Sequence, residues 1–292
     1  MVLRFSGVGL SHRGLVREGN EDSGFVGPSC VLVADGVGGA AAGEVASATA
    51  AYVVSAMSLA DPGADPATML RAGLDLAEQQ LALGVRREPG WAGMATTLTA
   101  VATDGVHFAL AHVGDSRGYV FRDGTLTRIT RDDTFVARLV DEGRLDEADV
   151  PFHPWRNVVL RSLGGAAART GDGGGGSPGE GIGVVSALAL AAGDRVLLAS
   201  DGLTDLVSEL RIEHVLATHH DDAAVEVLVD AALEAGGHDN VTCLLATVVE
   251  ATGVTGPVSM EGVLVGAVRD PRLLVDPCAV RGPGGPIQAF RW

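Results

Sequence analysis

Val31-Leu-Val-Ala-Asp-Gly-Val-Gly-Gly39 runs straight into Gly43-Glu-Val-Ala-Ser-Ala-Thr-Ala-Ala-Tyr-Val-Val-Ser-Ala-Met57. The apolar run with two valines fits a buried strand, and the glycines after Asp35 remove side chains where something must approach the backbone. Asp-Gly is also a strong hairpin signal, and the chain uses it that way twice. Asp104-Gly105 joins 97–103 to 106–113, and Asp123-Gly124 joins 118–122 to 125–130. After Asp35-Gly36 the pattern is Ala-rich and helical instead, so a carboxylate stands at the mouth of a strand. At this point a ligand role and a plain strand-end role for Asp35 both stay open.

The 292 residues suit one large domain, or one domain with an appendage, and a 47% hydrophobic share supports a sizeable core. A formal net charge of -16 repels nucleic acid and anionic membrane surfaces. All 21 basic residues are arginine. Chemistry that needs a lysine amine is therefore excluded: the P-loop, the kinase strand lysine and a Schiff base. Cys30, Cys243 and Cys278 show no Cys-x-x-Cys spacing, and none has an arginine six residues on, as a cysteine-dependent phosphatase requires. Cys30 and Cys243 read as buried free thiols. Without a signal-peptide core or a membrane-length apolar run, the expectation is a cytoplasmic monomer.

Arg17, Asn20, Glu21 and Asp22 crowd a polar loop before the Asp35 strand, a pattern a solvated loop would also show. Helices are expected from about Gly43 to Leu59 and Pro66 to Leu83, and an amphipathic one over Thr134–Gly143. Asp115 ends the strand closing at Val113. The block from Arg131 to Gly164 reads as an excursion from the sheet, and 166–183 as a Gly-rich insertion. Within it Gly175-Gly-Ser177-Pro-Gly179 matches a nucleophile elbow formally, but lacks the strand before and helix after. Arg195-Val-Leu-Leu-Ala-Ser-Asp-Gly202 repeats the opening theme with Asp201, and Asp239 opens a third buried strand, 241–249. His219-His-Asp-Asp222 is expected to cap a helix through Asp221 or Asp222. Residues 251–292 form a tail to which no chemistry is assigned, although Leu264–Val268 and Leu273–Val275 can pack on the domain or pair as strands.

Asp35, Asp201 and Asp239, with Asp115, would repel one another at one sheet edge, at 4 Å by about 4 kcal/mol per pair at an effective dielectric near 20. With no lysine and no Cys/His cluster at zinc spacing, an oxygen-ligated hard cation such as Mg²⁺ or Mn²⁺ is the economical neutraliser.

Arg17-Glu-Gly-Asn-Glu-Asp-Ser23, Val33-Ala-Asp-Gly-Val-Gly-Gly39, Met94-Ala-Thr-Thr97, Val113-Gly-Asp-Ser-Arg117, Ser200-Asp-Gly-Leu203 and Asp239-Asn240 resemble, in order and spacing, the metal-dependent type 2C protein phosphatases, and their bacterial branch in particular. The resemblance spans about Phe5 to Val249; His153–Val158 and Arg161–Gly164 resemble that branch's flap. It implies an α+β fold, a four-layer α/β/β/α sandwich of two antiparallel sheets flanked by helices, with 1–250 as the phosphatase domain and 131–164 as its flap. It implies two Mn²⁺ or Mg²⁺ ions bridged by Asp35, one of them ligated by the Gly36 carbonyl, with Asp201 and Asp239 completing the direct ligands. Glu21 and Asp22 would hold metal-bound waters, Asp115 with Asp201 a third, weaker ion, and Arg17 the substrate phosphate. The implied reaction is one-step hydrolysis of phosphoserine or phosphothreonine in proteins by a metal-activated water, with Ser/Thr kinases or their substrates as partners. Many eukaryotic relatives carry a histidine acid after the Asp-Gly where this chain has Val37, which leaves a metal-bound water, His153 or His238 as the acid. Two other readings stay open: a phosphatase dedicated to one regulatory partner protein, and a phosphoprotein-binding pseudophosphatase.

Overall fold

A computed structural model describes residues 2–37, 42–165, 183–251, 262–282 and 285–286; the elbow-like run and all but Gly183 of the Gly-rich insertion lie outside them. Strand β1 (Val2–His12) is followed by β2 (Asp22–Val26) and β3 (Cys30–Val37), then by helices α1 (Gly43–Ala60) and α2 (Pro66–Arg87). Strands β4 (Ala95–Thr96), β5 (Leu98–Thr103), β6 (Phe108–Val113), β7 (Arg117–Arg122) and β8 (Thr125–Arg128) lead into α3 (Phe135–Asp141). After β9 (Leu163–Gly164), β10 (Val184–Leu188) and β11 (Arg195–Ala199) come α4 (Asp201–Thr204), α5 (Glu209–Thr218), α6 (Asp221–Glu234), β12 (Val241–Ala251) and β13 (Val263–Gly266).

Two sheets result. One is ordered β1-β12-β11-β7-β8; the other runs β10-β6-β5-β3-β2-β13, with β4 and β9 branching from β3. Every pairing among the described residues is antiparallel, and both Asp-Gly turns make hairpins, β5 to β6 and β7 to β8. Phe5, Val31, Val33, Val101, Leu110, Leu198 and Leu244 fill the space between the sheets. Because side chains alternate across a strand, the opposite faces need cover of their own. On one side Leu32, Ala34 and Ala100 pack with Val53 and Val54 of α1 and Leu70 of α2. On the other, Leu197, Cys243 and Leu245 pack with Ile212 of α5 and Leu228 of α6. Helix, sheet, sheet and helix therefore stack in four layers, as the sequence implied. Among the described residues no helix is long and apolar enough to cross a membrane.

Local signals fix the helices. Asp65 accepts the Thr68 N–H (2.8 Å) ahead of Pro66 at the start of α2, and Thr134 accepts the Ala137 N–H (3.2 Å) at the start of α3. α1 is buried almost all round because α2 covers its outer face, which its Ala- and Val-rich sequence allows. Cys30 and Cys243 are buried and free, as expected.

One expectation is corrected. Neither Asp221 nor Asp222 caps α6: the N-cap position is His220, without a side-chain cap, and Asp221 lies in the first turn. There it accepts from Arg195 Nε (2.9 Å) and from Thr247 Oγ1 (2.8 Å), tying the helix to the sheet. Beyond 251, β13 pairs with β2 as an edge strand and Val268, Leu274 and Val275 enter the core beside α1, so Leu264–Val268 and Leu273–Val275 take the pairing and packing that the sequence left open.

Candidate active site

β3, β6 and β11 end at the same edge of the sandwich at which β2 and β12 begin, because neighbouring strands are antiparallel. Five carboxylates are delivered there. Asp35 is in β3 and Asp22 stands directly opposite it at the start of β2. Asp115 follows β6, Asp201 follows β11 and opens α4, and Asp239 precedes β12. The sequence placed Asp22 in a polar loop; the fold makes it a buried strand residue.

Two threonines shape the Asp35 backbone. Asp35 N–H donates to Thr97 Oγ1 (3.0 Å), while the Asp35 carbonyl accepts from Thr97 N–H and Thr96 Oγ1 (both 2.9 Å). A side-chain hydroxyl thus takes the place of a ladder carbonyl beside the carboxylate. Thr97 Oγ1 also meets Ser116 Oγ (2.8 Å), joining β3 to the turn that carries Asp115.

Side chains stitch the two sheets together at this edge. Ser200 Oγ donates to Asp22 Oδ2 (2.7 Å) and accepts the Thr242 N–H (3.0 Å). Asn240 Oδ1 accepts the Glu21 N–H (2.7 Å), and its Nδ2 donates to the carbonyls of Arg13 and Gly19 (both 2.9 Å). One amide therefore fixes the whole loop that presents Arg17. Gly202 packs so tightly that a Cβ would overlap the Asn240 carbonyl, and one on Gly14 would overlap the Asp239 carbonyl. Only glycine permits these close approaches.

The carboxylates share one electrostatic environment. Burial, then the charges of Asp22, Asp201, Asp115 and Asp239, hold Asp35 well above the ordinary carboxylate range. Burial, then Asp115, Asp205 and Asp239, do the same to Asp201. Burial first and Asp132 next push Asp115 up to about 7, and burial pushes Asp22 up to about 6. Glu21 is also raised, by burial and then Glu44. Asp22 Oδ1 is buried without a hydrogen-bond partner. An orphaned carboxylate oxygen beside protonation-prone acids is an unfavourable arrangement unless a cation or its waters complete it.

Asp239 is held differently. Arg17 Nη2 donates to Asp239 Oδ2 (2.7 Å) and Asn240 N–H to Oδ1 (2.8 Å), with both side chains of the ion pair partly exposed. Among the described residues no three His, Cys, Asp or Glu side chains form a closed metal-ligand cluster. Asp35 and Asp201 instead feel burial and the charges of the neighbouring acids, and the partly exposed Arg17 stands beside Asp239. The Gly36 N–H is bonded to the Glu21 carbonyl (3.1 Å), joining the two neighbouring segments of the edge.

Sequence reasoning missed Asp205 and gave Asn240 no role of its own. Asp205 lies one helical turn beyond Asp201, a spacing that could have exposed it, and its charge acts on Asp201. His153, a candidate acid, is engaged within the flap: Nδ1 accepts the Trp155 N–H (3.2 Å) and the ring packs against Phe135 and Trp155.

Comparison with known proteins identifies the family. A family model described as protein phosphatase 2C matches residues 20–235. The chain is a member of the protein phosphatase 2C family. Its similarity to the serine/threonine protein phosphatase PstP of Mycobacterium tuberculosis is 40% identity over 269 residues, 92% of this chain and 48% of the relative. The chain thus spans about half the length of that phosphatase. A serine/threonine phosphatase of Listeria welshimeri is 33% identical over 246 residues, 80% of this chain and 92% of the relative. Among solved protein phosphatase 2C structures, PstP superposes with a TM-score of 0.76 at 40% identity, covering 86% of this chain and all of the other. The PstP catalytic domain in complex with two manganese ions superposes with a TM-score of 0.73, covering 85% and 100%.

Proposed function

We propose that this chain hydrolyses phosphoserine and phosphothreonine in proteins with the help of Mn²⁺ or Mg²⁺, acting on phosphorylated Ser/Thr kinases or their substrates. The observation that carries the reading is the delivery of Asp35, Asp201, Asp239 and Asp115 to one sandwich edge beside the partly exposed Arg17. An all-oxygen donor set of high negative charge, with the buried orphan Asp22 Oδ1, fits hard divalent ions. Asp35 and the Gly36 carbonyl, with Asp201 and Asp239, are the residues that would hold two ions; Asp115 with Asp201 would hold a third. Glu21 and Asp22 would orient their waters. When bound, such ions supply a nucleophile at neutral pH and offset the charge of the phosphoryl group in flight.

The chain's own groups do the rest. Ser200 fixes the rotamer of Asp22 through its hydroxyl, and the Thr96–Thr97 pair fixes the backbone of Asp35. Arg17 offers a planar pair of N–H donors that matches two phosphate oxygens, and the Asn240 amide holds its loop in place. With Val37 after the Asp-Gly and His153 tied into the flap, water or His238 is left to protonate the leaving serine or threonine oxygen.

The test is turnover of p-nitrophenyl phosphate with Mn²⁺, with chelator, and after Asp35→Ala or Asp239→Ala. The expected result is metal-dependent turnover that chelator and either substitution remove. Absence of turnover with any divalent metal would favour a phosphoprotein-binding role; turnover surviving both substitutions would place the chemistry elsewhere.

A further inference from the structure

The C-terminal segment reaches the catalytic edge through the interior. β13 lies against β2 with Gly266 opposite Ser23 and Val263 opposite Val26. The other neighbour of β2 is β3, where Asp22 faces Asp35. β2 is therefore held between the strand of Asp35 and the segment that follows residue 262. At φ 75° Gly266 crosses so close to the Asp22 carbonyl that a Cβ there would overlap it.

From this crossing a chain of buried donors leads to Glu21. The Val268 N–H donates to Ser23 Oγ (3.1 Å), the Ser23 and Ser47 hydroxyls stand 3.0 Å apart, and Ser47 Oγ donates to the Glu21 carbonyl (2.5 Å). One proton per hydroxyl sets the direction. Ser47 gives its proton to the carbonyl, so Ser23 donates to Ser47 and accepts from Val268. The same carbonyl accepts the Gly36 N–H (3.1 Å), next to Asp35. Ser23 and Ser47 are fully buried, where an unmade hydrogen bond is costly.

The far end of the segment is anchored to the helices. Tyr52 donates its hydroxyl to the Pro277 carbonyl (2.7 Å), the Val275 N–H donates to Thr49 Oγ1 (3.2 Å), and Arg87 Nη1 donates to the Val275 carbonyl (2.8 Å). Val268 is fully buried, and Leu274 and Val275 join the α1 core cluster. All of these segment residues lie beyond the 20–235 stretch that the family model matches.

We propose that residues 263–277 are a positioning element of the catalytic centre, which sets the Glu21 carbonyl through the Val268, Ser23 and Ser47 relay. By that route it fixes where Glu21, Asp22 and Gly36 stand. The proposal relies on the phosphatase reading for its kinetic readout alone; its structural readout is independent.

The experiment compares Ser23→Ala, Ser47→Ala and a chain ended after Ala251 with the wild type. In metal-free protein, amide hydrogen exchange at Glu21 and Gly36 is expected to speed up about five- to tenfold, in line with the loss of one buried hydrogen bond. Exchange at Val196 and Leu198 in β11 stays at the wild-type rate. Calorimetric Mn²⁺ affinity falls by a similar factor, and kcat for p-nitrophenyl phosphate falls while KM holds. Wild-type exchange at Glu21 and Gly36 together with wild-type Mn²⁺ affinity in the serine variants overturns the proposal. So does exchange that rises uniformly over both sheets, which would mark general loosening. If the shortened chain does not fold, the serine variants decide. A wild type that binds no Mn²⁺ contradicts the phosphatase reading and leaves the exchange comparison standing.

Discussion

Replacing Asp115 by asparagine should stabilise the metal-free protein, and should do so only where the carboxylate would be charged. Burial first, then the neighbouring charges of Asp132 and Asp205, hold this carboxyl at about 7 against an ordinary 3.8. The folded protein keeps the proton longer than the unfolded chain. The stability tied to this group is therefore complete below about 3.8 and is lost as pH rises through about 7. The displacement corresponds to about 4 kcal/mol at pH 8 and about 1.5 kcal/mol at pH 5. Asparagine cannot ionise and escapes that loss. Urea unfolding with chelator at both pH values measures it, through midpoints at equal slope. The expected gain for Asp115→Asn over wild type is larger at pH 8 than at pH 5 by roughly 2.5 kcal/mol. Equal gains at both pH values, or a loss at pH 8, would refute the claim that burial and the neighbouring charges of Asp132 and Asp205 hold Asp115 above the ordinary carboxylate range.

Other expectations follow from the same geometry. Gly202→Ala drives a Cβ into the Asn240 carbonyl and should cost about 1–3 kcal/mol in urea unfolding, with Mn²⁺ affinity falling because Asp201 and Asp239 shift together. Arg17→Ala should raise KM for a phosphothreonine peptide about ten- to hundredfold, the worth of charge-assisted phosphate contacts, with a smaller change in kcat. Mn²⁺ binding should weaken from pH 8 to pH 6, because Asp115 and Asp22, held near 7 and 6, must shed protons to the ion. Calorimetry in two buffers of different ionisation enthalpy counts those protons.

Much of the candidate site was legible in the chain because its carboxylates sit where apolar runs stop, as at Asp35 and Asp201, or where one starts, as at Asp239. Both Asp-Gly hairpins and the first two helices were legible for similar reasons: alternation, turn chemistry and an aspartate ahead of a proline are local properties. What could not be read depends on partners far away in sequence. Asp22 looks like a loop residue until β3 supplies its strand partner, and Asp221 looks like a cap until Arg195 and Thr247 claim its oxygens. The pairing of Arg17 with Asp239 joins residues on opposite sides of the chain's long middle, and no spacing announces it. The segment after 262 is short, Gly- and Val-rich and without strong period. Only the unpaired edge of β2 gives it a strand to be.

The most direct measurement is anomalous diffraction at the manganese edge from crystals grown with Mn²⁺. Two peaks are predicted on either side of the Asp35 carboxylate, one reached by Asp201 and Asp239 and the other by the Gly36 carbonyl. Manganese lodged away from Asp35, or none at that edge at saturating metal, would contradict the account.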